Sequence, residues 1–151
     1  MRYLGGKHYQ ANGIVKILEG IRQPGQRFVD ACCGALYITA KMSGERVAND
    51  ACLPLMNLFR GWQGGWRPPA EITKDEYNAI KSGPRDPKDP LTAFAGFGLG
   101  FGGHYFGSYS RGWRIGTGPA LGEWVPGASN VGDYCAKTAR TLEKKMANFL
   151  I

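Results

Sequence analysis

The chain has 151 residues, a length that suits one domain able to bury its own hydrophobic core. It is 43% hydrophobic and 21% charged, as a globular protein is, and its apolar runs are too short to cross a bilayer. The formal net charge of +7 favours a polyanionic partner, nucleic acid before an anionic membrane, although a basic surface also serves simple solubility.

The cysteines and the N-terminus indicate the compartment. Of the four cysteines, Cys32 and Cys33 are adjacent and no pair forms a C-x-x-C motif, which argues against a structural zinc site. No apolar segment follows the charges at the N-terminus, so we expect no signal peptide. We therefore expect reduced thiols in a cytoplasmic protein.

The first third of the chain predicts a helix followed by a strand and a turn. Apolar residues at helical spacing predict a helix over residues 12–21. Phe28-Val29-Asp30 has the pattern of the end of a buried strand, and residues 31–35 are nearly all small. Residues 37–42 then predict the opening of a second helix. Proteins build such a junction where the backbone must approach a ligand closely.

A second strand and helix follow directly. Residues 46–50 predict a short strand, and residues 54–61 predict a helix that begins near Pro54, since proline is tolerated in a first helical turn. The alternation of strands and helices predicts an α/β domain with a parallel, doubly wound sheet.

The character of the sequence changes after Gly61. Residues 73–76 form a capping-box pattern that predicts a short helix. The stretch "FAGFGLGFGGHYFGSYSRGWR" interleaves aromatics with glycines and has no helical periodicity over its whole length. From residue 129 the spacing of apolar residues again predicts a helix, and the final "NFLI" resembles the start of another buried strand.

Two acidic residues stand at the ends of the two predicted strands. Asp50 follows Asp30 by about twenty residues, the separation at which dinucleotide folds place an acid on ribose hydroxyls. This pattern predicts a nucleoside-containing cofactor. The same residues also fit a turn glycine, Gly34, and a helix cap without any ligand. No complete G-x-G-x-x-G or Walker motif is present, which disfavours a pyrophosphate or triphosphate.

Five stretches together resemble the Dam-type N6-adenine DNA methyltransferases, most of all their phage and prophage members. They are "YLGGKH", "FVDACCGALYITAKM", "VANDACLPLMNLF", "GFGLGFGGHYFGSYSRGW" and "YCAKTARTLEKKM", in the family's order over nearly the whole chain. The resemblance implies a Rossmann-like methyltransferase core in residues 1–61, an inserted DNA target-recognition region of helices and loops in residues 62–128, and a return helix with the next core strand in residues 129–151. It also implies that the protein is located in the cytoplasm of a bacterial or phage-infected cell.

The resemblance implies a site for S-adenosylmethionine. The residues that match the family's cofactor contacts are Tyr3, Gly5, Gly6, Lys7, Asp30, Gly34 and Asp50. Of these, Asp50 would bind the ribose hydroxyls and the turn at Gly34 would wrap the methionine half. The chain departs from the family at Ala31, Cys32 and Leu36, where the family has proline, phenylalanine and a second glycine.

The family's catalytic [DNS]-P-P-[YFW] motif is missing, because Asp86-Pro87-Lys88 and Asp89-Pro90-Leu91 do not fit it. We therefore expect the N-terminal or truncated part of an adenine methyltransferase, with no catalytic residue and no methyl transfer by this chain alone. Double-stranded DNA is the expected partner, with no metal and no membrane. The expected DNA contacts are His104, Tyr105, Tyr109, Arg111 and Arg114.

Other interpretations of the same residues stay open. The aromatics of the target-recognition region also fit the packing of a small subdomain. The chain also fits a catalytically inactive DNA-binding protein derived from such an enzyme. A third possibility is an RNA-binding module whose aromatics stack on bases.

Overall fold

The computed structural model describes residue 1, residues 3–109 and residues 131–146, with side chains in the last segment from Cys135 onward. This part of the chain is a mixed α/β structure. Its helices are α1 (Ala11–Ile21), α2 (Leu53–Gln63), α3 (Lys74–Ser82), α4 (Pro90–Ala93) and α5 (Val131–Met146), and its strands are β1 (Phe28–Asp30) and β2 (Arg46–Ala48).

The two strands form a parallel pair, as predicted. Phe28 lies opposite Arg46 and Asp30 opposite Ala48. The pairing continues past the strand ends, where the Asn49 N–H donates to the Asp30 carbonyl over 2.8 Å. Parallel pairing brings the carboxyl ends of both strands to one edge. Within the described ranges the sheet has these two strands, and the larger doubly wound sheet of the prediction is not shown.

The predicted helix over residues 37–42 forms only in part. The chain forms turns there and then a short 3-10 helix, Thr39–Lys41. Leu36, the residue just before this segment, has a φ of 61°, a left-handed conformation from which a right-handed helix cannot continue. The Arg46 guanidinium also takes up backbone acceptors of this segment, donating to the Met42 carbonyl over 2.7 Å and to the Thr39 carbonyl over 3.3 Å.

Local capping chemistry fixes the starts of α3 and α4. The Thr73 hydroxyl accepts from the Glu76 N–H and the Glu76 carboxylate accepts from the Thr73 N–H, so the predicted capping box is confirmed. Asp89 caps α4, because its carboxylate accepts from the Leu91 and Thr92 N–H groups, each over 3.0 Å. In this structure, the Asp89-Pro90 pair thus starts a helix.

The glycine-aromatic stretch forms part of the hydrophobic core. After α4 the chain continues as a π-helical turn, Phe94–Gly98, in which every residue is buried. α4 packs against α2. One core cluster therefore joins the predicted core and target-recognition regions, with side chains from Cys33 and Leu36, from Leu55 and Phe59 of α2, from Phe94 and Phe97, and from Leu142 of α5.

The buried face of α5 agrees with its sequence pattern. Cys135, Thr138, Leu142 and Met146 are all buried, at helical spacing. The predicted strand at Phe149 lies outside the described residues.

Candidate functional site

The candidate site lies where the parallel strands end and the chain turns. Gly34 has a φ of 47°, in the left-handed region that favours glycine. The Gly34 N–H donates to Asp50 Oδ2 over 2.8 Å, and the Cys52 N–H donates to Asp50 Oδ1 over 2.9 Å. A carboxylate offers about four lone-pair positions, so these two bonds leave Asp50 able to accept from a ligand as well.

Asp30 links the end of β1 to the segment that follows the turn. Its Oδ2 accepts from the Thr39 hydroxyl over 2.5 Å. Thr39 is fully buried and Asp30 is half-buried. This pair ties the end of β1 to the 3-10 helix, which gives Asp30 a structural role beside the predicted contact with a cofactor.

The N-terminal segment lies over the turn. A Cβ at Gly34 would lie 3.2 Å from Tyr3 Cε1, so the Tyr3 ring covers the open side of that glycine. The Tyr3 ring also contacts Phe97 of the π-helical turn, with ring centroids 5.6 Å apart. The Leu4 N–H donates to the Gly103 carbonyl over 3.3 Å. Residues from three distant segments therefore meet at the turn.

Tyr37 holds the same N-terminal segment from the other side. Its hydroxyl donates to the Met1 carbonyl over 2.8 Å. A Cβ at Gly6 would lie 2.6 Å from Tyr37 Cε2, so only glycine fits there. Gly5 and Lys7 are exposed, and the Lys7 ammonium donates to the Gly5 carbonyl over 2.9 Å. The structure thus brings Tyr3 and Gly6 to the turn and leaves Lys7 at the surface.

Leu36 explains one departure from the family pattern. The resemblance places a glycine at this position, and the backbone of Leu36 keeps a left-handed φ of 61°. The side chain is fully buried in the core. Such a conformation costs a residue other than glycine about 1–2 kcal/mol, which the burial of a leucine side chain, worth about 1.5–3 kcal/mol, offsets.

The Cys33 thiol and the Tyr3 phenol are protonated at neutral pH. Burial, with the nearby charges of Asp30 and Asp50, raises the pKa of the Cys33 thiol to about 12. Burial also raises the pKa of the Tyr3 hydroxyl, with a further contribution from Cys52. Nucleophilic attack needs the thiolate, so Cys33 is a packing residue.

Lys145 of α5 reaches the turn, which the sequence reasoning missed. Its ammonium donates to the Ala35 carbonyl over 2.6 Å and lies 3.5 Å from the centroid of the Tyr37 ring. Burial, together with the charge of Lys41, lowers the pKa of Lys145 to about 8. The available signal was its place next to Met146, at the border of the apolar face of the helix.

Three of the five predicted DNA contacts, His104, Tyr105 and Tyr109, lie within the described residues. His104 is exposed. The half-buried Tyr105 ring packs against Phe97, with centroids 4.5 Å apart. The Tyr109 hydroxyl donates to the Ile72 carbonyl over 2.6 Å. Arg111 and Arg114 lie outside the described residues.

A separate cavity of about 260 Å³ lies between the end of α2 and α5, lined among others by Trp62, Arg67 and Arg140. In the described part of the chain, no group of three or more His, Cys, Asp or Glu residues is arranged to hold a metal ion. Each helix described is too short or too polar to cross a membrane.

Comparisons with protein-family models, with curated proteins and with solved structures each gave no match.

Proposed function

We propose that this chain binds S-adenosylmethionine at the turn after β1, as part of an N6-adenine DNA methyltransferase of the Dam type. The observation that carries the proposal is the convergence of Tyr3, the Gly34 turn and Asp50 at the carboxyl end of a parallel strand pair. Ligands of α/β folds bind outside the carboxyl ends of such strands.

The residues present fit this cofactor. Gly34 has no side chain, so a ligand at the turn would meet the Tyr3 ring that covers this glycine, and Asp50 retains lone pairs for two hydroxyl groups. Tyr3 supplies an aromatic face at the same place. The bound cofactor would supply the methyl group, while these residues would hold and orient it.

The rest of the proposal concerns the larger architecture. Residues 1–61 would belong to a doubly wound methyltransferase sheet, and residues 62–128 would form the DNA target-recognition region. The five sequence stretches of the resemblance support this division, and the single core cluster would then hold the two regions together.

A second candidate is a non-catalytic DNA-binding protein of the same origin. It is favoured by the lack of a [DNS]-P-P-[YFW] motif in the sequence. The RNA-binding interpretation loses support at Phe94, Phe97 and Phe106, because buried rings cannot stack on bases.

Calorimetry with S-adenosylhomocysteine tests the proposal on three proteins: wild type, Asp50→Asn and Asp75→Asn. Asparagine at position 50 keeps one acceptor oxygen for the turn but removes the charge. Hydrogen bonds to charged groups contribute about 1.5–3 kcal/mol, so binding should weaken about tenfold or more. Asp75 is exposed at the start of α3, so Asp75→Asn should bind as wild type does. Equal binding by all three, or none by wild type, would refute the proposed site.

A further inference from the structure

The outward face of α5 carries a row of cations. Lys137, Arg140 and Lys144 are all exposed, and their spacing of three and four residues places them on one side of the helix. The opposite side is buried, as Cys135 and Leu142 show with exposed fractions of 0% and 1%. The cations therefore stand on a helix whose orientation is set by the core.

A fourth cation lies across the cavity from this row. The Arg67 guanidinium lies 4.5 Å from the centroid of the Trp62 ring and donates to the Trp62 and Trp66 carbonyls over 2.9 and 2.8 Å. These contacts hold the exposed Arg67 in place. The cavity of about 260 Å³ lies between Arg67 and Arg140, and its remaining lining is Trp62, Pro68, Pro69, Ala70, Cys135, Ala136, Ala139 and Glu143.

We propose that Lys137, Arg140, Lys144 and Arg67, here called the basic face, contact the phosphates of a DNA strand. The inference rests on the proposed function for its partner, but it assigns the contact to residues other than the predicted ones in the glycine-aromatic stretch. Lys137 and Lys144 are seven residues apart, which is about 10.5 Å along a helix at 1.5 Å per residue. Successive phosphates of one DNA strand rise about 3.4 Å along the duplex axis, so cations spread over this length can contact neighbouring phosphates.

The basic face suits a nucleic acid better than a membrane. A helix that binds a bilayer surface inserts its apolar side into the lipid. The apolar side of α5 is packed into the core and is not available for insertion. Glu143 is the acidic residue at the cavity rim, so positive charge predominates there as it does in the whole chain. Phosphate contacts of this kind position a protein on DNA without reading its sequence.

Charge reversal tests the inference. The variant Lys137→Glu/Arg140→Glu/Lys144→Glu is compared with the control Lys16→Glu/Lys74→Glu/Lys88→Glu, which alters net charge equally at exposed cations elsewhere. Fluorescence anisotropy follows binding to a labelled duplex at several salt concentrations. Each lost phosphate contact lowers the slope of log affinity against log salt by about 0.9. The slope should therefore fall by about 2.7 in the basic-face variant and by much less in the control. Arg67→Ala alone should lose about 0.9.

The outcomes separate this inference from the proposed function. Circular dichroism confirms folding, and S-adenosylhomocysteine binding should equal that of wild type in both triple variants. If wild type binds DNA and the two triple variants lose the same slope, the basic face is refuted while DNA binding stands. If wild type does not bind DNA, this inference fails, while cofactor binding is decided by the calorimetry. The basic-face variant is also tested for binding to polyglutamate. If it loses polyglutamate binding but keeps DNA binding, the inference is refuted, because the partner of the basic face would then be an acidic protein.

Discussion

Replacing Lys145 by methionine should remove a pH dependence from the stability of the protein. In the folded chain the ammonium lies against the Ala35 carbonyl and the Tyr37 ring. Burial and the nearby Lys41 lower the pKa of Lys145 from 10.5 to about 8. Between these two pH values the unfolded chain keeps a proton that the folded chain has released. The free energy of unfolding of wild type therefore rises with pH in this window.

The magnitude follows from the difference between the two pKa values. At about 1.4 kcal/mol per pKa unit, it amounts to about 3 kcal/mol between pH 8 and pH 10.5. Cysteines and tyrosines of the unfolded chain also lose protons in this range, equally in every variant, so the quantity to measure is the stability of wild type minus that of Lys145→Met. In urea unfolding across this pH window, the free energy of unfolding of wild type should rise by about 3 kcal/mol relative to that of Lys145→Met as pH increases.

Lys145→Arg is the matched control, because a guanidinium stays charged throughout this range. Its stability relative to Lys145→Met should therefore not change with pH. A constant difference between wild type and Lys145→Met would refute the reasoning. It would mean that the ammonium is solvated and that α5 does not pack on the turn through this residue.

Three further outcomes are expected. Gly34→Ala should lose about 1–2 kcal/mol of stability in urea unfolding, because alanine is strained at its φ of 47°, and should weaken S-adenosylhomocysteine binding. Gly25→Ala is the control, because Gly25 has a φ of 75° and open space around it. It should lose a similar amount of stability but bind S-adenosylhomocysteine as wild type does. Equal binding by the two variants would contradict the site. Asp89→Ala should lose about 1 kcal/mol as the cap of α4 is removed, and an unchanged melting temperature would exclude that cap. The chain alone should transfer no tritiated methyl group from S-adenosylmethionine to adenine in duplex DNA, and transfer above background would show that other residues perform the chemistry.

Local signals in the sequence were sufficient for several elements. The capping box at Thr73 and Glu76 satisfies the helix start within four residues, so α3 could be predicted without tertiary information. The buried face of α5 likewise follows from a period that every turn of the helix repeats. The β1–β2 pair was predictable because the alternation of strands and helices favours a parallel arrangement.

The rest depends on contacts between segments far apart in sequence. Apart from the glycine that the resemblance places at this position, nothing near Leu36 indicates that its backbone is left-handed, since this conformation is held by burial in the core. The glycines and aromatics around Phe97 have the composition of an exposed loop, yet they form a buried π-helical turn against Tyr3 and Tyr105. Lys145 reaches Ala35 across 110 positions of the chain, a contact that helical spacing cannot predict.

The most direct test of the cofactor site is a nuclear magnetic resonance titration of the ¹⁵N-labelled chain with S-adenosylhomocysteine. The amides of Gly34 and Cys52, which donate to Asp50, should shift together with those of residues 3–6. The amides of Ala136 and Ala139, which line the separate cavity, should not shift. Shifts confined to the cavity, or no shifts at saturating ligand, would show that the cofactor does not bind at the turn after β1.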